Sequence, residues 1–257
     1  MGRFSTVLVQ SIKRATDIIS LFTPSRSRLG PSEIAKALNL HRGTAWGLVS
    51  SLEQCGLLEK DADSGKYRLG PKVYEWGMIY ARGLEINHLA VEPLSRLVTH
   101  GSFRANLGIW DDSSILVTLT VLSRTMTPTA GQIGPRLVAY CTALGKAVLA
   151  YKDPDEVKAY LDRTELTSFT SFTITKKRDL LKEFEGIRKQ GYAIDREEYV
   201  IGVGAIAAPV FDKNGRAVAT ISVGGNPNVV LGERMEELAG GLRSAASEIS
   251  NKMGYAP

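Results

Sequence analysis

The chain has 257 residues, 44% hydrophobic content and a formal net charge of +5 at pH 7. This length allows one large domain or two ordinary ones. No apolar run approaches the roughly 18 residues of a membrane span, and the N-terminus has no signal-peptide pattern, so we expect a cytoplasmic protein with no membrane partner. Residues 1–80 carry 11 Lys and Arg against 7 Asp and Glu, whereas residues 81–257 carry 21 against 20. The basic excess therefore lies in the N-terminal part.

Residues 9–56 have the apolar spacing of three short helices. The first is predicted from residue 9 to just before Pro24, because proline disfavours helical geometry in the residue that precedes it. The second takes Ser32 as its N-cap residue. The third begins near Arg42 and ends at Gly56, which suits a helix C-terminus. Its spacing predicts one buried stripe, formed by Ala45, Leu48, Val49 and Leu52.

Residues 57–69 alternate apolar and polar side chains around a polar turn at 61–65, a pattern that predicts a β-hairpin. Three helices followed directly by a hairpin form the outline of a winged helix-turn-helix. The outward face of the third helix, the preceding loop and the hairpin offer hydrogen-bond donors, an indole and phosphate-neutralising charges. The candidate DNA-binding residues are Arg26, Arg28, Ser32, Arg42, Gly43, Thr44, Trp46, Gly47, Lys60, Lys66 and Arg68. The alternative for the whole unit is a small helical cap whose charges are only solvated. The alternative for Arg26 and Arg28 is that they are solvated charges that contact no phosphate.

Residues 71 to about 90 are predicted to form a linker helix. Val73, Trp76 and Tyr80 fall on one face of it, and such an aromatic stripe is more often a packing surface, here a candidate dimer seam, than a ligand cage. We accordingly divide the chain into a DNA-binding domain at 1–70, a linker helix at 71–92 and a second domain at 93–257.

From residue 103 the periodicity becomes that of strands, interspersed with helices. Strands are predicted over 105–110, 115–121, 192–195, 203–211 and 216–223, and helices over 142–151, from 153, over 178–190 and at the C-terminus. The helix over 178–190 should bury one face, formed by Leu180, Leu181, Phe184 and Ile187. These elements predict an α+β domain, an antiparallel sheet with helices packed on it. Cys55 and Cys141 are expected to be buried free thiols, and no metal site is indicated.

Two segments of the second domain suggest a ligand site. The stretch GQIGPRLVAYCTALGKAVLA (131–150) fails the phosphate-loop pattern, which needs glycine at Tyr140 and Ser or Thr at Ala147. What remains is a loop entering a helix, where the amides of Ala143, Leu144 and Gly145 are free to hold an anion. Lys146 either assists or is solvated or salt-bridged. The second segment is DREEYVIGVGAIAA (195–208). In it Asp195 is a candidate acceptor for a hydroxyl or amide donor of a ligand, and Val203 and Ala205 are predicted to line the pocket wall. The alternative is a charged turn before a core strand.

Together these segments resemble the IclR family of bacterial transcriptional regulators over essentially the whole chain. The matching motifs are GKYRLGPKV in the first domain and, in the second, TALGKAVLA, GYAIDREEYVIGVGAIAAPVFDKNGRAVATISVGG and, less strongly, LTSFTSFTIT. The resemblance implies a GAF-like second domain and a homodimer or dimer of dimers that binds a palindromic operator in double-stranded DNA. It also implies control by a small organic effector, typically a carboxylate or an aromatic acid. No cofactor is expected. Carried over by position, the effector pocket comprises Met126, Leu137, Ala143, Leu144, Asp195, Val203, Ala205, Ser222 and Gly224. The free-amide argument adds Gly145 as an effector-binding residue.

The sequence departs from the family pattern at several of these positions. Serine is usual at Gly43 and arginine at Gly47, so Arg42, Thr44 and Trp46 are expected to carry more of the DNA readout. Serine is common at Gly224, so one ligand hydrogen bond is expected to be absent. The sequence points to no arginine dedicated to an acidic ligand.

The leading interpretation is therefore an effector-controlled DNA-binding regulator, a repressor or an activator, and not an enzyme. One alternative is an architectural DNA-binding protein with a vestigial sensor domain. The other is an enzyme that uses Cys141 as a nucleophile or Lys146 as a Schiff-base lysine. A cysteine among apolar neighbours would have a raised pKa, which makes it a poor nucleophile.

Overall fold

The computed structural model describes residues 8–99, 101, 103–124 and 136–256. Their contacts divide the chain into two compact units, residues 1–83 and 84–257. The helices are α1 (Gln10–Ser20), α2 (Pro31–Ala37), α3 (Arg42–Gln54), α4 (Pro71–Gly83), α5 (Glu85–Leu97), α6 (Ala143–Leu149), α7 (Pro154–Arg163), α8 (Lys177–Gln190) and α9 (Met235–Lys252). The strands are β1 (Leu58–Lys60), β2 (Tyr67–Leu69), β3 (Arg104–Asp111), β4 (Ser114–Leu122), β5 (Arg136–Val138), β6 (Ala193–Arg196), β7 (Gly204–Phe211) and β8 (Ala217–Gly225). No helix among the described residues is long and apolar enough to cross a membrane.

The first unit is the predicted winged helix-turn-helix. Helices α1 to α3 pack with the antiparallel hairpin β1–β2 around a small core that includes Ile18, Ile34, Val49 and Tyr67. Gly56 follows α3 with φ of +74°, a left-handed conformation that glycine adopts without a steric cost.

The start of α2 differs from the prediction. Gly30, not Ser32, is the N-cap residue, and Glu33 accepts a hydrogen bond from the Gly30 amide at 2.7 Å. Pro31 occupies the first helical position, where its missing N–H costs nothing. Ser32 is therefore an exposed residue of the first turn, two positions after the N-cap residue.

The predicted single helix over 71 to about 90 is wrong, because the chain forms two helices there. Helix α4 ends at Gly83, and Leu84 is extended (φ −83°, ψ 106°) as the N-cap residue of α5. Glycine is a poor helix former, so Gly83 is a sequence signal for this break. Three buried apolar side chains of α5, those of Ile86, Ala90 and Leu94, pack into the core of the second unit.

The second unit is a six-stranded antiparallel sheet with strand order β5-β4-β3-β8-β7-β6 and helices on both faces, which confirms the predicted α+β class. Because side chains alternate between faces along a strand, each central strand contributes to two cores. Ala105 and Leu107 of β3 face α5 and α9, together with Ile221 and Val223 of β8. The intervening residues face the side that carries α6, α7 and α8.

Two local predictions need correction, and two short elements were not predicted. Leu181 is 46% exposed, because the buried stripe of α8 is narrower than predicted and consists of Leu180, Phe184 and Ile187. Cys55 is exposed at the end of α3, whereas Cys141 is buried as expected. Strand β5 and a short π-helical turn at Val229–Glu233 carry no sequence pattern that we recognised.

Candidate functional site

Helix α3 presents the face that was predicted to contact DNA. Arg42, Gly43, Thr44, Trp46 and Gly47 are exposed, while Ala45, Val49 and Leu52 are buried beneath them. Trp46 is 56% exposed, an unusual amount of apolar surface for a residue with no structural role there. The helix begins at His41, whose Nδ1 atom accepts the Gly43 amide at 3.3 Å and so orders the end that carries Arg42.

The predicted basic residues around α3 divide into paired and unpaired groups. Three form ion pairs within the unit: Arg28 with Asp61 at 3.2 Å, Lys66 with Glu33 at 3.1 Å and Arg68 with Glu59 at 3.2 Å. Within the described part of the chain Arg26, Arg42 and Lys60 form no ion pair at this range. These exposed pairs are weak, so a phosphate can replace the carboxylates at small cost.

The second unit contains a cavity of about 290 Å³, close to the lower end of the range for small-molecule sites. It lies over the face of the sheet that carries α6. Most of the residues predicted for an effector pocket line it: Leu137, Ala143, Leu144, Asp195, Val203, Ala205, Ser222 and Gly224. Met126, the remaining residue carried over from the family, lies outside the described residues.

The entry to α6 differs from the prediction at Gly145. The Gly145 amide donates to the Thr142 hydroxyl at 3.3 Å, so it is not free to hold an anion, and Gly145 does not line the cavity. Its function is steric: a Cβ atom there would lie 2.2 Å from the Ala139 Cα and carbonyl oxygen. Glycine thus lets the loop backbone pack directly against the helix and brings Ala143 and Leu144 to the cavity wall.

Asp195 lies at the cavity wall, buried on β6, and its carboxylate accepts the Glu198 amide at 2.8 Å. Burial raises the pKa of Asp195 to about 7. The turn beyond it is held by the LTSFTSFTIT segment, in which the Thr170 hydroxyl donates to the Glu197 carbonyl at 2.7 Å and the Thr173 hydroxyl donates to the Glu198 carbonyl at 2.6 Å. Asp195 is thus a positioned acceptor rather than a residue of a solvated turn.

Lys146 is salt-bridged and does not line the cavity. It is completely buried, with its Nζ atom 3.1 Å from Glu183 and in close contact with Glu198. Burial raises the pKa of Glu198, and the Lys146 ammonium opposes that rise. A Schiff-base lysine must be able to reach its substrate, whereas Lys146 is enclosed and paired with two carboxylates.

Cys141 does not have the environment of a nucleophile either. Its side chain is fully buried next to the loop that enters α6, and burial raises the pKa of the thiol to about 12. The reactive form of cysteine is the thiolate, which is negligible at neutral pH with such a pKa. Both residues on which the enzyme alternative depends are therefore structural.

The cavity also contains residues that the sequence analysis missed. Arg104 and Asn106 of β3 line one wall, and Tyr199, Val200 and Ile201 line another. The sequence analysis assigned no arginine to the ligand site, whereas in the structure Arg104 lines the cavity. The sequence contained a signal for Arg104 and Asn106, because residues 103–107 alternate between apolar and polar side chains. The strand proves to be central in the sheet, with both faces covered. Its polar side chains therefore face a site inside the domain and not bulk water.

An exposed, partly basic helix-turn-helix unit in one chain with a sheet domain that encloses a ligand-sized cavity is the construction of a DNA-binding transcriptional regulator. Comparison with known proteins identifies the family of regulators. The profile of the bacterial transcriptional regulator IclR C-terminal domain matches residues 78–251, and that of the IclR helix-turn-helix domain matches residues 11–62. The chain belongs to the IclR family of DNA-binding transcriptional regulators.

Relatives match over nearly the full length. The chain is 31% identical over 250 residues to the HTH-type transcriptional regulator KdgR of Escherichia coli, which covers 96% of this chain and 94% of the relative. It resembles the crystal structure of Thermotoga maritima IclR with a TM-score of 0.74 and 32% identity, covering 95% of this chain and 99% of the other. The fold also matches an IclR homologue from Microbacterium hydrocarbonoxydans that was crystallised with 4-hydroxybenzoate, with a TM-score of 0.78, 21% identity and coverage of 95% and 99%.

Proposed function

We propose that this regulator binds a palindromic operator as a homodimer or dimer of dimers, and that a small organic effector in the α6 cavity controls the binding. The observation that carries the proposal is the cavity itself, because residues from α6, β6, β7 and β8 that are far apart in sequence line one enclosed space. The structural relative that was crystallised with 4-hydroxybenzoate supports an aromatic acid or another small carboxylate as the effector.

Control by the effector would follow from linkage. An effector that binds one conformation of the protein more tightly than another shifts the population toward that conformation. Operator affinity then rises or falls according to which conformation fits the operator, and DNA must in return change the affinity for the effector by the same factor. The relatives are transcriptional regulators, which agrees with regulation rather than catalysis.

Helix α4 is the proposed dimer seam, within the linker that we place at 71–92. None of its residues is buried in the single chain, and Tyr74, Trp76, Ile79 and Tyr80 are each more than half exposed. An exposed apolar surface of this extent is typical of an interaction site. Sedimentation of the intact protein tests the assembly.

The DNA-binding part is tested by selecting binding sites from random duplexes and measuring affinity for the selected site. If Arg42 reads a base, Arg42→Ala weakens binding by about 1–3 kcal/mol and relaxes the preference at one position. Lys177→Ala, which removes an exposed lysine of α8 in the other unit, serves as a control and should leave the affinity unchanged. An unchanged affinity of the Arg42→Ala variant would remove Arg42 from the readout.

The effector part is tested by thermal shift of the intact protein against small carboxylates and aromatic acids. We expect at least one compound to raise the melting temperature and Asp195→Ala to reduce that rise. The same compound should change the affinity for the selected duplex. A protein that binds DNA with no response to any compound would instead be the architectural protein with a vestigial sensor.

A further inference from the structure

One row of paired residues crosses the floor of the cavity. Arg104 of β3 is paired with Gly224 of β8, Gly224 with Ala205 of β7, and Ala205 with Asp195 of β6. Directly paired residues of neighbouring antiparallel strands lie on the same face of the sheet. Three steps of about 4.8 Å place the Arg104 and Asp195 Cα atoms on the order of 14 Å apart. The row therefore begins with a guanidinium and ends with a carboxyl group.

The two residues between these ends leave the row open. Gly224 has no side chain and Ala205 only a methyl group, so the middle of the row forms a trough. The next row supplies an uncharged polar edge, in which Asn106 is paired with Ser222 and the Thr120 hydroxyl donates to the Asn106 side-chain carbonyl at 2.9 Å. Among the described residues that line the cavity, Arg104 is the only cation and Asp195 the only acid.

Arg104 differs from the fully buried Lys146 of this domain. Lys146 has two carboxylates within 4 Å, whereas the partly buried Arg104 has no acidic partner in the described structure, and its buried Nε atom has no hydrogen-bond acceptor there. Partial burial also lowers the pKa of the Arg104 guanidinium, although arginine stays protonated in proteins. Leaving a partly desolvated charge without a partner is unfavourable, so an anion that binds here stabilises the fold.

We propose that Arg104 is a specificity-determining residue that binds the anionic group of the effector, while Asp195 accepts a hydrogen bond from a donor at the opposite end of the ligand. The ligand class is an elongated hydroxy-carboxylate, with its acid and its hydroxyl group at opposite ends and an apolar or weakly polar body over Gly224 and Ala205. This inference rests on the proposed function, since it takes the cavity to be an effector site. A guanidinium binds a carboxylate by two parallel hydrogen bonds, which a neutral amide of the same shape cannot reproduce.

The test uses the intact protein and matched ligands. The probes are 4-hydroxybenzoate, 4-hydroxybutyrate and 6-hydroxyhexanoate, each beside its own carboxamide, at concentrations up to tens of millimolar. Thermal shift ranks the compounds, and titration calorimetry gives the Kd of those that bind. The variants are Arg104→Gln, which removes the charge at similar length, Arg104→Lys, which keeps it, and Arg163→Met, which removes an exposed arginine of α7 that does not line the cavity.

We expect at least one carboxylate to bind more tightly than its carboxamide by about 10- to 100-fold, the range for a charge-assisted pair. Arg104→Gln should abolish that preference, Arg104→Lys should keep part of it, and Arg163→Met should leave it unchanged. Unliganded Arg104→Gln should melt no lower than the wild type, because it removes an unpaired, partly desolvated charge.

Two results would overturn the role of Arg104 and leave the effector proposal standing. The first is that the wild type binds a carboxylate and its carboxamide with equal affinity. The second is that the wild type and the Arg104→Gln variant bind the carboxylate with equal affinity. In both cases the cavity still binds a ligand and the effector proposal survives. If none of the six compounds raises the melting temperature of the wild type, the hydroxy-carboxylate class is overturned, and selection of DNA sites still tests the regulator by itself. If Arg104→Gln fails to fold, the Arg104→Lys variant must retain the carboxylate preference, or the proposal fails.

Discussion

The buried ion pair of Lys146 gives the sharpest test of how the cavity domain is stabilised. The Lys146 side chain is 0% exposed, Glu198 is 5% exposed and Glu183 is 27% exposed. Lys146→Met removes the ammonium and keeps a side chain of similar length. Glu198, whose second carboxylate oxygen already has no hydrogen-bond partner within the described structure, would then be buried without a cation.

We expect Lys146→Met to lower the free energy of unfolding by about 3–5 kcal/mol near neutral pH, the cost of leaving a buried charge unpaired. The loss should be smaller at lower pH, because burial already raises the pKa of Glu198 and a protonated Glu198 needs no cation. Adding Glu198→Gln to Lys146→Met should recover about 2 kcal/mol or more of the loss, since the uncompensated charge is then gone.

The assay is urea unfolding followed by the fluorescence of Trp110 in a Trp46→Phe, Trp76→Phe background. Trp110 belongs to the second unit, where its ring packs edge-on against Tyr160 at 5.9 Å between centroids, so the signal reports on that unit. The matched control is Lys177→Met, which breaks an exposed pair with Asp162 at 2.8 Å and should cost less than about 1 kcal/mol. Equal losses for Lys146→Met and Lys177→Met would refute the reasoning.

Two further predictions concern the cavity wall. Gly145→Ala places a Cβ atom 2.2 Å from the Ala139 backbone and should lower the free energy of unfolding, as measured in urea, by at least about 3 kcal/mol. Gly186→Ala on α8 is the control, because a Cβ atom there meets nothing within 4 Å. It should raise the free energy of unfolding by roughly 0.5–1 kcal/mol. If both substitutions have the same effect, the close approach at Gly145 is not what requires glycine. The pKa of Asp195 is raised from 3.8 to about 7, so the folded protein binds more protons than the unfolded chain between these two pH values. This residue therefore lowers the free energy of unfolding as pH rises from about 4 to about 7. Above that range its contribution no longer changes with pH. Asp195→Asn should therefore flatten the dependence of the urea midpoint on pH between about pH 4 and about pH 7, and an unchanged slope would contradict the raised pKa.

Local patterns were sufficient to predict the first unit. Periodicity, Gly56 and the polar turn at 61–65 define the three helices and the wing, because these elements are short and stabilised by neighbours in sequence. The errors arose where sequence signals competed. Ser32 suits an N-cap, but Gly30 and Pro31 start α2 two residues earlier. The apolar spacing of α4 continues past Gly83 to Leu84, although the helix does not.

Two sequence segments predicted Ala143, Leu144, Asp195, Val203 and Ala205 as cavity residues, and the family resemblance added Leu137, Ser222 and Gly224. Sequence alone determined the composition of each strand and helix, and with it the α+β class. Only the tertiary structure decided which strands are neighbours, and hence that Arg104, Gly224, Ala205 and Asp195 form one row although they lie on four different strands. It also decided which cations find a carboxylate: Lys146 meets Glu183 and Glu198 from elsewhere in the chain, and Arg104 meets none in the described structure. The physical reason is that strand register and charge pairing depend on contacts between residues distant in sequence, which no local pattern encodes.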